Sequence, residues 1–94
     1  MADNYHNEWL VRKGRRTVKQ AQHADVYRRL QFEGYDYEIR RAYRSAGYQS
    51  NYTAVPKYFI IVRKDGEITN GFTMTEKVFQ EAEIRMNKTL AIVK

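Results

Sequence analysis

The sequence predicts a small α+β domain, a two-layer sandwich in which two helices pack on one antiparallel sheet. Three observations point there. The chain has 94 residues, enough for a single marginal core and too few for two. Two stretches carry helical amphipathic spacing, each with a start signal, S/T-x-x-E/Q, in which side chains at either end of the first turn satisfy backbone N–H groups. Between and around them lie short apolar or alternating runs bounded by glycine turns, as strands are.

Taken in order, Trp9-Leu-Val-Arg-Lys-Gly14 reads as an apolar strand ending in a basic turn. Thr17-Val-Lys-Gln20 then opens a helix over about 18–33, on which His23, Val26, Tyr27 and Leu30 share one arc at about 100° per residue. Gly34 supplies the left-handed residue that commonly stops a helix. Tyr35 to Tyr43 alternates as a half-buried strand. A polar loop, 45–56, follows. Phe59-Ile-Ile-Val62 repeats the opening pattern, and Lys64-Asp-Gly66 turns it back into Ile68–Phe72 as a hairpin. Thr73-Met-Thr-Glu76 starts a second helix over about 76–88 with Val78, Phe79, Ala82 and Met86 on one stripe. Leu90 to Val93 reads as a closing strand. The resulting order, βαβ then ββαβ, closes most naturally as a ferredoxin-like sandwich with both helices on one face. Residues 1–8 read as a flexible amino-terminal arm, and 9–94 as the single domain.

One strand fits that scheme poorly. Tyr58 to Val62 is apolar on both faces, whereas an open two-layer sheet keeps one face wet. The amino-terminal arm, the 45–56 loop or a second copy of the chain must cover the other face. The last option would make the protein a homodimer.

Composition narrows the function classes. The chain has no cysteine, which excludes disulfides and Cys-ligated metal. His6 and His23 alone make a histidine metal site unexpected. No apolar run reaches the roughly 18–20 residues that span a bilayer, and MADNYHNE carries no signal-peptide core. A soluble, cytoplasmic protein with no cofactor and no membrane partner is expected. The net charge is +6, and it is unevenly placed. Ten basic and four acidic residues lie between Trp9 and Gln49, while the rest of the chain balances seven against seven. A one-sided, Arg-rich field favours a polyanionic partner, because the guanidinium fork pairs with phosphate or carboxylate and stacks on flat rings.

No catalytic constellation stands out. His23 falls on the core-facing arc of the expected helix with no adjacent nucleophile. Asp36 and Glu38 alternate onto one strand face beside Arg40, where salt bridging explains them without acid–base chemistry. The five glycines are scattered, with no phosphate-cradling motif. A non-enzymatic role is therefore expected.

The best site candidates are the basic, tyrosine-rich segments. Six of the eight tyrosines lie between Tyr27 and Tyr52. Arg40, Arg41, Tyr43, Arg44, Tyr48 and Tyr52 interleave cations with rings, the combination that tracks phosphates and stacks bases of a single strand. Arg12, Lys13, Arg15 and Arg16 form a second cluster, expected at the first turn beside a helix amino terminus that itself attracts anions. These residues predict a nucleic-acid-binding module, with DNA or RNA as partner. The alternative is a protein-binding regulator or inhibitor, of the kind viruses and mobile elements encode, that offers the same basic surface to an acidic protein.

Overall fold

The computed structural model describes the backbone of residues 2–45 and 54–93, and the side chains of 8–43 and 55–89. Helix α1 (Ala2–Gln20) runs into a 3-10 turn (Ala21–His23), and four strands follow: β1 (Asp25–Phe32), β2 (Tyr35–Ser45), β3 (Ala54–Lys64) and β4 (Glu67–Thr75). Helix α2 (Glu76–Val93) closes the described chain. The strands form one antiparallel meander in the order β1-β2-β3-β4. The α+β expectation thus holds in its broad form, two helices packed on a four-stranded antiparallel sheet. The ferredoxin-like order does not, because the elements run helix, four strands, helix.

The misreading has a local origin. Trp9–Gly14, expected as a strand, is helical, because Leu10, Gly14, Thr17 and Ala21 recur at spacings of four, three and four and form the inward stripe of α1. Thr17 is therefore no N-cap: it is buried inside the helix, and its hydroxyl donates to the Lys13 carbonyl at 2.9 Å. Asp25–Phe32, expected as a helix, is strand β1, with Arg28, Leu30 and Phe32 alternating inward. Gly34 does not stop a helix. Glu33 and Gly34 have φ of 52° and 83°, and Asp65 and Gly66 repeat this at 54° and 84°. Positive φ at both central residues is the signature of the tight hairpin turn whose twist matches its strands. Leu90–Val93 continues α2 and is not a strand. The expected arm, residues 1–8, lies from Ala2 onward in the first turns of α1.

The doubly apolar strand β3 is explained by the chain itself. Tyr58, Ile60 and Val62 point to one face, where they pack with Ile39 and with Phe79 of α2. Phe59 and Ile61 point to the other, against Ala21 and Ala24 at the end of α1 and its 3-10 turn. The helices consequently lie on opposite faces, not on one. No second copy is needed to account for Tyr58–Val62. Where α1 crosses β4, Gly14 and Gly71 meet so closely that a Cβ on Gly71 would stand 2.7 Å from the Gly14 Cα. Among the described residues no helix is long and apolar enough to cross a membrane.

Candidate nucleic-acid interface

The pleat of β2 divides the Arg/Tyr run. Successive side chains point to opposite faces, and Arg40 stands opposite Phe59 while Arg41 stands opposite Tyr58. Arg40 therefore joins the α1 face, and Arg41 with Tyr43 joins the α2 face. Arg44 lies in β2 opposite Val55, and its side chain, like Tyr48 and Tyr52 entirely, falls outside the described residues.

On the α1 face, the helix covers β4 and reaches β3, which leaves the β1–β2 half of the sheet open. Glu38 sits there with its side chain only 9% exposed. Arg29 of β1 donates to Oε2 at 3.0 Å and Arg63 of β3 to Oε1 at 3.0 Å. Arg40 adds a longer contact to Oε2 at 3.4 Å and donates through its other terminal nitrogen to the Ala24 carbonyl at 3.3 Å. Burial by itself would raise the Glu38 pKa, but hydrogen bonds from Arg63 and Arg29 and the charge of Arg40 hold it below the ordinary carboxylate value. The carboxylate is thus ionised and fixed, and three guanidinium groups share it. Asp36, on the same face of β2 and opposite Arg63, lines this surface as well, so three guanidinium groups face two carboxylates, and Arg29 is 69% exposed.

Helix α1 carries the second group. At about 100° per residue, Arg12, Arg15, Arg16 and Lys19 fall within an arc of about 100°, and all four are exposed. The expected placement at a turn beside a helix amino terminus is wrong. These cations lie in the second half of α1, where Lys19 in the last turn complements the negative end of the helix dipole. Arg12 also pairs with exposed Glu8 at 3.7 Å. Lys13 points elsewhere, with its ammonium 5.6 Å from the Trp9 ring and 5.9 Å from the Phe72 ring.

The α2 face holds the aromatic group. The Arg41 guanidinium lies 4.6 Å from the Tyr27 ring and 5.2 Å from the Tyr43 ring, distances at which the ring faces attract a cation. Hydrogen bonding to the Tyr58 hydroxyl raises the Arg41 pKa further, against a smaller lowering by burial. Tyr58 in turn stacks on Phe79 at 4.0 Å, and Tyr27 meets both rings edge-on at 5.6 Å. The Tyr27 hydroxyl donates to Glu83 of α2 at 3.3 Å, and burial together with that carboxylate raises its pKa. Tyr27 and Tyr58 therefore hold α2 to the sheet. Tyr43, 58% exposed, is the ring of this group left facing solvent.

Two of the three arginines on Glu38, Arg29 and Arg63, were not legible as site residues. The signal for Arg29 was present: across the Glu33-Gly34 turn, the residue opposite Glu38 is Arg29. His23 is exposed at the end of the 3-10 turn and not on a core-facing arc. No cluster of three or more metal-ligating side chains occurs among the described residues. Comparison with protein-family models, with curated proteins and with solved structures finds no match to this chain.

Proposed function

We propose that the protein is a non-enzymatic nucleic-acid-binding module whose phosphate-contacting surface is the open half of the α1 face. The observation that carries this reading is the array of Arg29, Arg40 and Arg63 on one buried carboxylate. A pair made only for stability would balance one cation with one anion. Here one buried carboxylate orients three guanidinium groups, and with Asp36 counted the cluster still keeps a net positive charge, beside a helix that presents four more cations outward. Oriented arginines are suited to phosphate, because each can donate two parallel hydrogen bonds to it. Arg41 and Tyr43 on the opposite face are secondary contacts in this reading.

A regulator that offers this charge to an acidic protein would draw on the same arginines.

Fluorescence anisotropy with labelled single- and double-stranded DNA and RNA, at two salt concentrations, tests the proposal. Binding should be micromolar or tighter at about 150 mM salt and should weaken steeply as salt rises. Arg29→Ala, which removes the most exposed member of the array, should weaken it on every sequence alike, since phosphate contacts carry no sequence information. Absence of binding to all four, with a stoichiometric complex recovered from nuclease-treated lysate, would replace this reading with the protein-directed one.

A further inference from the structure

We infer that the groove between α1 and the turn end of the sheet is a base-stacking cleft for single-stranded nucleic acid. The inference rests on the nucleic-acid reading and not on the Glu38 array itself: Tyr37 stands opposite Val62 and Phe72 opposite Ile60, so the groove's rings lie on the other face of the sheet, reached from α1 around the β4 edge. The groove has a volume of about 480 Å³ and is walled by Leu10 and Val11 of α1, Tyr35 and Tyr37 of β2, and Asn70 and Phe72 of β4. That volume falls within the range of small-ligand sites. Three of the groove's eight lining residues are aromatic, and the three rings are half-buried, so each is held by the core while part of it remains open to the groove.

Charge selects the occupant. Among the described residues no carboxylate lines the groove, and a lysine stands by the Phe72 ring and another by the Tyr35 ring. The Lys13 ammonium lies 5.9 Å from the Phe72 ring, and the Lys64 ammonium 5.2 Å from the Tyr35 ring. A largely apolar groove with three rings and two nearby ammonium groups suits a base whose neighbouring phosphates reach those cations. Asn70 adds a polar edge. Its Oδ1 accepts from the Gly71 backbone N–H at 2.7 Å. Stacking on aromatic side chains is tolerant of base identity, so this cleft would bind single strands with little sequence preference.

The chain's single tryptophan reports on the site, because Lys13 lies 5.6 Å from the Trp9 ring as well. The test compares a short labelled oligothymidylate with an abasic phosphodiester of equal length, read by anisotropy and by Trp9 emission. The base-bearing strand should bind more tightly and quench Trp9, and the abasic strand should leave Trp9 unchanged. Phe72→Ala should weaken binding of the oligothymidylate roughly 5- to 150-fold without altering the abasic strand. Tyr35→Leu, which keeps an apolar wall and removes the ring, should do the same if Phe72→Ala proves unstable. Equal affinity for the two strands with unquenched Trp9 overturns the cleft and leaves the electrostatic reading standing. Absence of binding to either strand overturns both. Trp9 emission that shifts with protein concentration alone, before any strand is added, assigns the groove to a second copy and overturns the cleft.

Discussion

Glu38 decides more than its size suggests. A carboxylate with its side chain 9% exposed that receives hydrogen bonds from three strands ties β1, β2 and β3 together while it orients the array. Glu38→Gln keeps the shape but removes the counter-charge, so three guanidinium groups would face one another around a neutral amide. The two shorter contacts are charge-assisted, yet Arg29 is mostly solvated and its share is discounted accordingly. Urea denaturation at neutral pH should show a loss of about 2 kcal/mol. The pH dependence follows from the direction of the shift. Because the folded pKa lies below the ordinary value, Glu38 stabilises the fold above the carboxylate range, and this contribution is lost as pH falls through the folded pKa. The wild-type advantage over Glu38→Gln should therefore disappear in acid, and an advantage that persisted there would show that charge is not its source.

Elements explain what the sequence disclosed and what it hid. The β3–β4 hairpin, β2 and the body of α2 were legible because each carries a strong local signal: Asp65-Gly66 for the turn, strict alternation from Tyr35, and the Val78-Phe79-Ala82-Met86 stripe. Residues 9–32 were read with helix and strand exchanged. Val26, Tyr27 and Leu30 satisfy a helical period, but pairing with β2 from Asp25 to Phe32 overrides it, and tertiary pairing is invisible to a local period. The inward stripe of α1 was hidden for the opposite reason, since Gly14, Thr17 and Ala21 are too small to register as an apolar face. Their smallness is what lets α1 approach β4, and a test separates this from an ordinary helical glycine. In a solvent-facing helix, Gly14→Ala would stabilise by about 1 kcal/mol. Here the added Cβ would meet Ile68 Cγ2 and would lie 2.8 Å from both the carbonyl carbon and the carbonyl oxygen of Asn70, and backbone does not yield as a side chain end would. Gly14→Ala should therefore destabilise by roughly 1–3 kcal/mol, lowering the melting temperature by about 4–8 °C for each kcal/mol. A neutral or stabilising outcome in a thermal melt would mean that α1 is not seated on β4 as described.

At the scale of the whole molecule, the question is which cations act together. In sequence, Arg40, Arg41 and Arg44 look like one site, yet the pleat sends Arg40 and Arg41 to opposite faces. In a molecule 52 × 33 × 21 Å in extent, those two side chains stand on separate surfaces. The α1 stripe is on the same side of the molecule as the Glu38 array, because α1 packs on that face through Val18 and Ala21, and it points outward from the helix, opposite the buried Gly14 and Thr17. From Arg12 to Lys19 the stripe rises about 10 Å, room for two or three phosphates of one strand. Neutralising Arg15 and Lys19 together, as Arg15→Gln with Lys19→Gln, changes exposed side chains only. If both contact phosphate, the slope of log K against log salt should become shallower by about 1.8 on duplex DNA or about 1.4 on a single strand, measured by anisotropy across a salt series. Arg41→Gln, on the other face, should leave that slope nearly unchanged and act on affinity through the Tyr43 ring. Were the Arg41 variant to flatten the slope and the α1 pair to leave it intact, the binding face would be the α2 side of the sheet, with the Glu38 array reduced to a structural tie between strands.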